Sequence, residues 1–257
     1  MNISLANLPS IDTHRVQYLS SLPYFQDYYL EYQIPESDCY ILTDDGHSLG
    51  YAIVTASRTL IELHLVDGAV QNANKILLRV TDELDVDTIL CKSFDGLLLS
   101  SCIESNLSYT IDGLLFRHVV PTPSYPLQGL LVRLATPADV PWLLSQSDEI
   151  FSNPEEVVQS VAANATHLFQ EGDKLIGCGF LTRIHSQFNY FDLGMWVHPN
   201  FRRMGYATRI VSHLKQECLA SGFNPACGCA YSNSISIKTL GRNGFYAKHL
   251  LLSFNAH

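Results

Sequence analysis

The segment VHPNFRRMGYAT, residues 197–208, joins two kinds of sequence pattern and carries two adjacent arginines at the junction. The residues before it, 190–197, form an apolar run of strand length, and the apolar positions after residue 203 recur at helical spacing. This pattern predicts a strand, a tight loop and then a helix. The first amides of a helix have no internal acceptors and, together with the helix dipole, they attract anions.

The residues of this loop favour a phosphate ligand. Gly205 and Ala207 are small enough for a phosphate to approach the backbone, and Arg202 and Arg203 add charge-assisted donors. The pattern GxxxxGK[ST] of a P-loop and the pattern GxGxxG of dinucleotide-binding folds are both absent. We therefore interpret the segment as a pyrophosphate cradle of another class.

The charge of the chain is divided unevenly along its length. Residues 1–120 hold 16 acids and 6 bases, a net charge of −10, and residues 121–257 hold 9 acids and 10 bases, a net charge of +1, which together give the total of −9. The acidic half argues against nucleic acid and anionic membranes as partners and favours the attraction of cations. A merely solubilising surface is the alternative interpretation.

Composition indicates a packed protein in a reducing compartment. Hydrophobic residues make up 47% of the chain, no apolar run is long enough to span a bilayer, and the N-terminus lacks the pattern of a signal peptide. The seven cysteines have no disulfide-framework spacing, which favours free thiols. We expect a cytoplasmic location.

A proline-rich stretch near the middle of the chain predicts two domains. Pro121, Pro123 and Pro126 remove backbone donors and interrupt regular structure, so we expect a linker over residues 121–129. The predicted domains on either side of this linker are residues 1–120 and residues 130–257.

Strand and helix patterns alternate through the second domain. Thr136 is expected to cap one helix and Ser152 or Asn153 a second one, and a hairpin is expected to turn at residues 171–173. The first domain repeats a similar order more faintly, with a helix-like stretch over residues 16–32. The sequence therefore predicts two copies of one α/β fold.

The cradle resembles a known family motif. Residues 202–207 are similar to the R/Q-x-x-G-x-G/A motif of the GNAT superfamily of N-acetyltransferases, and the lead-in at 197–201 matches as well. Downstream, residues 233–236 (NSIS) and 244–245 (GF) match the last helix of that family. Over residues 1–120 the resemblance is faint, and the equivalent segment has no arginine or glutamine cradle.

The resemblance implies a fold and a cofactor. The fold would be α/β (α+β), with a mixed, mostly antiparallel central sheet flanked by helices, in tandem, with a degenerate N-terminal copy. The cofactor would be acetyl-CoA (coenzyme A): the amides after Arg202 would hold its pyrophosphate, and a strand edge that splays from its neighbour would pair with the pantetheine arm. The implied cofactor-binding residues are Met195, Trp196, Val197, Arg202, Arg203, Met204, Gly205, Tyr206, Ala207, Thr208, Asn233 and Arg242. No metal is implied.

Acyl transfer to an amine requires two proton movements. Asp192 is the acid on the strand before the cradle, and it would take or relay the ammonium proton; orienting the substrate or a structural role are its alternatives. Leu240 stands where many relatives have a tyrosine that protonates the thiolate, so Ser236 becomes the first candidate for the acid. Tyr231 and Tyr246 are the other candidates, and a backbone-bonding role is the alternative for Ser236.

Two further patterns have structural interpretations that compete with functional ones. Cys227 and Cys229 would face the same side of a strand, but no further spaced ligands complete a tetrahedral set, which favours core cysteines over a metal site. The aromatic stretch 23–32 is typical of core and interface at helical spacing, although an acidic, aromatic amine pocket with the nearby Asp27, Glu31 and Glu36 is an alternative.

These observations predict an acyl-CoA-dependent N-acyltransferase. It would transfer acetyl from acetyl-CoA to the primary amine of a small, cationic acceptor by direct attack in a ternary complex. A CoA-binding sensor without turnover is the alternative favoured by Leu240, and a structural partner protein is a third possibility that the intact cradle disfavours. The expected partner is a small-molecule amine, without nucleic acid or membrane, and a homodimer or a monomer with pseudo-dimeric tandem domains both remain open, as do the acceptor and the acyl chain length.

Overall fold

The computed structural model describes residues 1–145 and 154–257 and divides into two compact units. The first unit comprises Met1–Leu115, Ala230–Ser232 and Ala247–His257. The second unit comprises Phe116–Cys229 and Asn233–Tyr246. These units are defined by spatial contacts. The boundaries predicted around residues 121–129 concern the two sequence copies and stay a prediction.

In the first unit, an antiparallel meander is extended by one parallel strand. The strands that begin in this unit are β1 (Asn2–Ala6), β2 (Asp38–Asp44), β3 (His47–Val54), β4 (Thr59–Leu65), β5 (Thr88–Lys92) and β6 (Tyr109–Val119). Its helices are α1 (Leu8–Ser21), α2 (Tyr28–Gln33), α3 (Ala73–Glu83) and α4 (Gly96–Glu104). The pairs from β1 to β4 are antiparallel, and β4 pairs with β5 in parallel.

The second unit repeats this order. Its strands are β7 (Leu131–Leu134), β8 (Thr166–Glu171), β9 (Lys174–Arg183), β10 (Tyr190–Val197) and β11 (Asn224–Ala230), and β12 (Phe245–Asn255) begins in it. Its helices are α5 (Val140–Ser145), α6 (Pro154–Ala162), α7 (Tyr206–Ala220) and α8 (Ser234–Arg242). The pairs from β7 to β10 are antiparallel and β10 pairs with β11 in parallel, while the end of β12 pairs with β5 in the first unit. The predicted fold class, a mixed and mostly antiparallel sheet with helices, is confirmed.

Local signals in the second half predicted its elements well. Thr136 forms a capping box with Asp139 ahead of α5, and β8 and β9 form a hairpin in which Glu171 pairs with Lys174. Both features depend on residues close in sequence, which explains why the sequence predicts them. The predicted cap at Ser152 or Asn153 lies outside the described residues.

In the first half, the helix-like stretch over 16–32 is helical in two parts, the end of α1 and most of α2, and residues 22–27 between them are not helical. Helix α1 starts earlier, capped by the side chain of Asn7, and Leu22 then adopts an extended conformation. Since a residue before proline avoids the helical region, Pro23 ends the helix, and a new helix begins after Asp27. Strand β1 was not predicted, because its five residues carry little periodic signal.

Each unit has its own apolar core. In the first unit, α3 and α4 bury Leu77 and Leu98 against the sheet residue Leu60. In the second, α5 and α6 bury Leu143 and Val157 together with β-strand residues, including Trp196. All seven cysteines are free thiols, and Cys178 belongs to this second core. In the described part of the chain, no helix is long and apolar enough to cross a membrane, and no group of side chains could hold a metal ion.

A buried ionic network occupies the first unit. Arg15 donates to both oxygens of Glu31 over 3.0 and 2.7 Å and to both oxygens of Glu62 over 3.1 and 2.8 Å. Glu62 has no exposed surface and also accepts a hydrogen bond from the Tyr51 hydroxyl. Because an unpaired buried charge is strongly unfavourable, these groups depend on one another.

A second part of this network contains the fully buried Lys92. Its Nζ donates to the Tyr18 hydroxyl over 2.7 Å and to the Gln26 side chain over 3.2 Å. Burial, with the Asp95 carboxylate 2.5 Å away, raises the pKa of Tyr18 well above its ordinary value. The hydroxyl therefore stays protonated, donates to Asp95 and accepts from Lys92.

The acids of the stretch 23–32 are engaged inside this unit. Asp27 caps α2 by accepting a hydrogen bond from the amide of Tyr29 over 2.9 Å, and Glu31 binds Arg15. These contacts support the structural interpretation of the stretch over an amine pocket.

We predict that Arg15→Met destabilises the first unit by about 3–5 kcal/mol, because the substitution leaves the fully buried Glu62 carboxylate and the partly buried Glu31 carboxylate without their cation. Arg133→Met is the matched control, since Arg133 forms an equally bidentate pair with Asp139 on a half-exposed surface. Its loss should be at most about 1 kcal/mol. Urea denaturation followed by circular dichroism measures both losses, and equal values would contradict the role assigned to the network.

Candidate active site

Strand β10 separates from its parallel neighbour β11 halfway along its length. The two strands pair at Tyr190, Phe191 and Asp192, and the described pairing ends there, although β10 continues to Val197. The backbone groups on the β11 side of the last residues of β10 therefore face a gap. This divergence is the splay that the family resemblance implies.

The other edge of β10 stays bound to β9 up to the end of the strand. Val197 pairs with Gly177, and the next amide, that of His198, donates to the carbonyl of Ile176 over 3.0 Å. A Cβ atom on Gly177 would lie 2.2 Å from the carbonyl oxygen of Trp196, so this close approach requires glycine. Strand β10 thus stays paired along its β9 edge while its β11 edge is open.

The loop after β10 turns through two left-handed residues before α7 begins. Arg203 has φ 65° and Gly205 has φ 85°, and Gly205 occupies the N-cap position. Arg202 folds back, and its Nε donates to the carbonyl of Val197 over 3.0 Å. A Cβ atom on Gly205 would meet no heavy atom within 4 Å, so the glycine is favoured by its φ and leaves open space in front of the helix.

The first turn of α7 is anchored from the side by Tyr206. Its hydroxyl donates to the Glu171 carboxylate over 3.0 Å, which raises the pKa of that hydroxyl above its ordinary value. The guanidinium of Arg209 lies 5.6 Å from the centre of the Tyr206 ring. These contacts hold the helix start while its first amides, which have no internal acceptors, point into the open space.

A cleft of about 720 Å³ joins the strand edge, the loop, α7 and α8. Most of the predicted cofactor-binding residues line it, and so does Ser236. The lining residues that were predicted are Met195, Trp196, Val197, Arg202, Arg203, Gly205, Tyr206, Ala207, Thr208, Asn233, Ser236 and Arg242. Met204 is exposed and, like Asp192, is not part of this lining.

The cleft suits a polyanion. Two exposed arginines line it: Arg203 in the loop before α7 and Arg242 at the end of α8. Neither forms an ion pair with any residue that the structure describes. The positive end of the α7 dipole adds to their field. An anion bound here would therefore meet cationic groups and unsatisfied amides without displacing an internal carboxylate.

Asn233 and Ser236 open helix α8 on the far wall of the cleft. The Asn233 side-chain oxygen accepts a hydrogen bond from the Ser236 amide over 3.0 Å and caps the helix. This leaves the amide group of Asn233 as its available donor. Ser236 is half-buried in the first turn, and its hydroxyl makes no hydrogen bond to any residue that the structure describes, whereas the Thr239 hydroxyl donates to the carbonyl of Ile235.

Asp192 lies at the fork, the point where β10 and β11 separate, because it is the last residue of β10 paired with β11. It is half-buried and shares a strand face with Trp196, whose side chain packs in the core under α5 and α6. Of the alternative acids, Tyr231 is exposed in the first unit and Tyr246 stacks on His118 at 5.0 Å. Leu240 is buried, as an apolar residue there should be.

Three lining residues were not predicted from the sequence. Phe201 lies in the loop, and Ile235 and Thr239 lie on α8. The sequence could have indicated Ile235 and Thr239 as lining residues, because their i, i+4 spacing puts them on the helix face next to the predicted Ser236. Phe201 stood in the lead-in motif, but nothing local showed that its ring faces the cleft.

The first unit has the fork without the cradle. Strand β4 pairs with β5 only through Thr59 and Leu60 among the described residues, although β4 runs to Leu65. The next segment, Asp67–Asn72, is a short 3-10 turn with an acid at its start and no arginine. Nothing in this unit reproduces the cationic loop.

Comparison with known proteins gives the family. Residues 7–119 match a family profile described as acetyltransferase (GNAT) domain, and residues 131–245 match the profile of the acetyltransferase (GNAT) family. The two matches together cover most of the chain. No curated protein matches the sequence.

Solved structures share the fold at low sequence identity. An acetyltransferase of the GNAT family from Colwellia psychrerythraea has a TM-score of 0.87 at 14% identity, over 99% of both chains. A tandem GNAT protein from the clavulanic acid biosynthesis pathway has a TM-score of 0.64 at 11% identity, over 100% of this chain and 98% of that one. A GCN5-related N-acetyltransferase from Sphaerobacter thermophilus has a TM-score of 0.62 at 15% identity, over 86% of this chain and 80% of that one. The chain therefore belongs to the GNAT superfamily of acetyltransferases and carries two GNAT domains in tandem.

Proposed function

We propose that the second unit binds acetyl-CoA in the cleft beside β10 and transfers its acetyl group to the primary amine of a small, cationic acceptor. The observation that carries this proposal is the conjunction of a splayed strand edge with a left-handed loop at a helix N-terminus, both lining one cleft. The GNAT family uses acetyl-CoA, and the residues of this cleft fit such a ligand in shape and charge.

The fit follows from the chemistry of each wall. The amides after Arg202, together with the positive end of α7, suit a pyrophosphate. The edge of β10 from Met195 to Val197 offers backbone donors and acceptors to a chain of amides such as pantetheine. The side-chain amide of Asn233 and the guanidinium of Arg242 add donors on the opposite wall.

Acetyl-CoA, when bound, supplies a thioester whose acetyl group is activated towards an amine. A primary amine in water at neutral pH is mostly an ammonium ion, with a pKa of about 10.4 in the case of lysine, and must lose a proton before attack. Asp192 is the acid at the fork, and we assign it the role of accepting or relaying that proton and of orienting the cation. A backbone amide of the same strand edge would stabilise charge on the carbonyl oxygen.

Ser236 is the candidate donor to the departing sulfur. It lines the cleft from the first turn of α8, opposite the strand edge, and its hydroxyl is compatible with a hydrogen bond to a thiolate. Leu240 cannot take this role, because it is apolar and buried. We favour direct attack of the amine on the thioester within one ternary complex. Holding the two reactants in the right geometry supplies a large share of the rate of such a transfer.

The cationic nature of the acceptor is supported by the acid at the fork and by the net negative charge of the chain. Part of that charge is internal: Glu31, Glu62 and Asp95 are held in the network of the first unit and attract no external cation. The proposal for a cation therefore rests chiefly on Asp192.

A CoA-binding sensor without turnover is the second candidate function, and the buried Leu240 favours it. Both functions require binding of acetyl-CoA, and only the enzyme releases free thiol in the presence of an amine. A panel of polyamines, aminosugars and amino acids, assayed for thiol release, separates the two.

We predict that Gly205→Glu weakens the binding of acetyl-CoA at least about 100-fold, since a carboxylate would stand beside the pyrophosphate, where charges 4 Å apart repel by about 4 kcal/mol near a protein surface. Isothermal titration calorimetry on the wild type and the variant measures this change.

Gly222→Glu is the matched control for that experiment. Gly222 has φ 79°, similar to the 85° of Gly205, and lies at the other end of α7 with equally open space around its Cβ position. The control therefore carries the same backbone strain and the same added charge, and its Kd should stay within about twofold of the wild type. Equal losses in the two variants would contradict the cradle.

We predict that Asp192→Asn lowers kcat by about 10²–10⁴-fold, because it removes a group that takes or relays a proton, with binding of acetyl-CoA preserved. Ser236→Ala should lower kcat less and leave Kd for acetyl-CoA within about threefold, since one hydrogen bond contributes about 0.5–1.5 kcal/mol. Steady-state kinetics with the best amine of the panel tests both, and full activity of Asp192→Asn would exclude Asp192 from the chemistry.

A further inference from the structure

The two helical walls of the cleft are joined by one buried side chain. Thr208, in the first turn of α7, and Thr239 and Arg242, on α8, line the cleft from opposite sides. Asn243 follows α8 as its C-cap residue and has no exposed surface. It does not itself line the cleft.

The side-chain amide of Asn243 bridges the two helices. Its Nδ2 donates to the carbonyl of Thr208 over 3.1 Å and to the carbonyl of Thr239 over 3.1 Å. The second bond replaces the one that a helix end lacks, since the last carbonyls of a helix have no internal donors. The first bond ties that helix end to the turn of α7 that opens at the cradle.

The backbone of Asn243 is fixed as well. Lys215, a buried residue of α7, donates from Nζ to the carbonyl of Asn243 over 2.7 Å and to the hydroxyl of Thr122 over 3.0 Å. Gly244 has φ 83°, and a Cβ atom there would lie 2.2 Å from the carbonyl oxygen of Val120. Asn243 is therefore anchored by α7 on one side and by the segment after β6 on the other.

An asparagine at this position has an energetic cost. Its Oδ1 is buried and meets no hydrogen-bond donor among the described residues, a situation that is unfavourable by about 1–3 kcal/mol. An apolar side chain of the same shape would avoid that penalty. Such an apolar side chain would lack the two directional hydrogen bonds that set the spacing between the carbonyls of Thr208 and Thr239.

We propose that Asn243 is a positioning residue that fixes the width of the cofactor cleft by tying the first turn of α7 to the end of α8. This inference rests on the proposed binding of acetyl-CoA in that cleft. Asn243 touches no ligand; it acts through Thr208 on the cradle wall and through Thr239 and Arg242 on the other. Because a small displacement of such walls has a large effect on ligand affinity, loss of the bridge should appear in binding.

The test is Asn243→Leu, which keeps the shape of the side chain and removes both donor bonds. We expect Kd and KM for acetyl-CoA to rise about tenfold or more while kcat stays within about twofold, since the reacting groups are untouched. Unchanged Kd and KM in a folded variant would overturn the proposal, and so would a fall in kcat at unchanged KM.

Lys215→Met is the second variant, and it decides the matter if Asn243→Leu fails to fold. It removes one anchor of Asn243 and leaves the bridge in place, so a smaller rise in Kd, about threefold, is expected. Wild-type affinity in folded Lys215→Met, with Asn243→Leu unfolded, would count against the proposal.

Val161→Ala is the control for loss of stability alone. Val161 is buried on α6 in the core of the same unit and does not line the cleft. It should lower the melting temperature and leave Kd for acetyl-CoA unchanged. If the wild type itself fails to bind acetyl-CoA, the proposed function fails; if the wild type binds and Asn243→Leu binds equally well, only the positioning role fails.

Discussion

The second unit depends on the divergence of β10 from β11 after Asp192. A strand inside a sheet normally pairs along both edges, and unpaired backbone groups in the interior are unfavourable. Here β10 keeps its full ladder with β9, where Gly177 allows the close approach, and leaves its other edge open. That open edge gives the cleft one polar wall made of backbone, whose hydrogen-bonding groups do not depend on a particular side chain.

The other features of the site follow from where that strand ends. The chain must turn from the end of β10 into α7, and the left-handed residues Arg203 and Gly205 make the turn short enough to present the helix start at the same opening. Helix α8 provides the facing wall, with Ser236 and Arg242 on it. The fork, the cradle and the facing helix then enclose one cavity with a cationic end, and the carboxylate of Asp192 lies where the strands part, outside the residues that line the cavity.

The two copies share the strand arrangement and differ in the residues that follow the point where the strands part. In the first unit, the last residue of β4 paired with β5 is Leu60, and the carboxylate of Glu62 lies two residues further along. The corresponding position in the second unit, two residues beyond Asp192, is Gly194. Glu62 is fully buried and held by Arg15, Gln26 and Tyr51, so this fork is part of a self-contained ionic core. The first copy thus has internal polar contacts at a position where the second has a glycine.

Sequence patterns predicted what is decided locally and missed what is decided by distant contacts. The tight loop before α7, the hairpin at 171–173 and the Thr136 cap involve neighbours in sequence, and each was recognisable from residue type and spacing. The ionic network joins Arg15 to Glu62, and the bridge joins Asn243 to Thr208, across long separations that no periodicity records. Asn243 was visible only as a residue beside a family motif, because its role depends on which carbonyls the fold brings to it.

The most direct test of this account is a crystal structure of the protein grown with coenzyme A. The account predicts a CoA molecule in the second unit, with its pyrophosphate on the amides of residues 203–208 and its pantetheine arm paired with the β10 edge at 195–197. If CoA at saturating concentration binds at another site and is absent from this cleft, the account is contradicted.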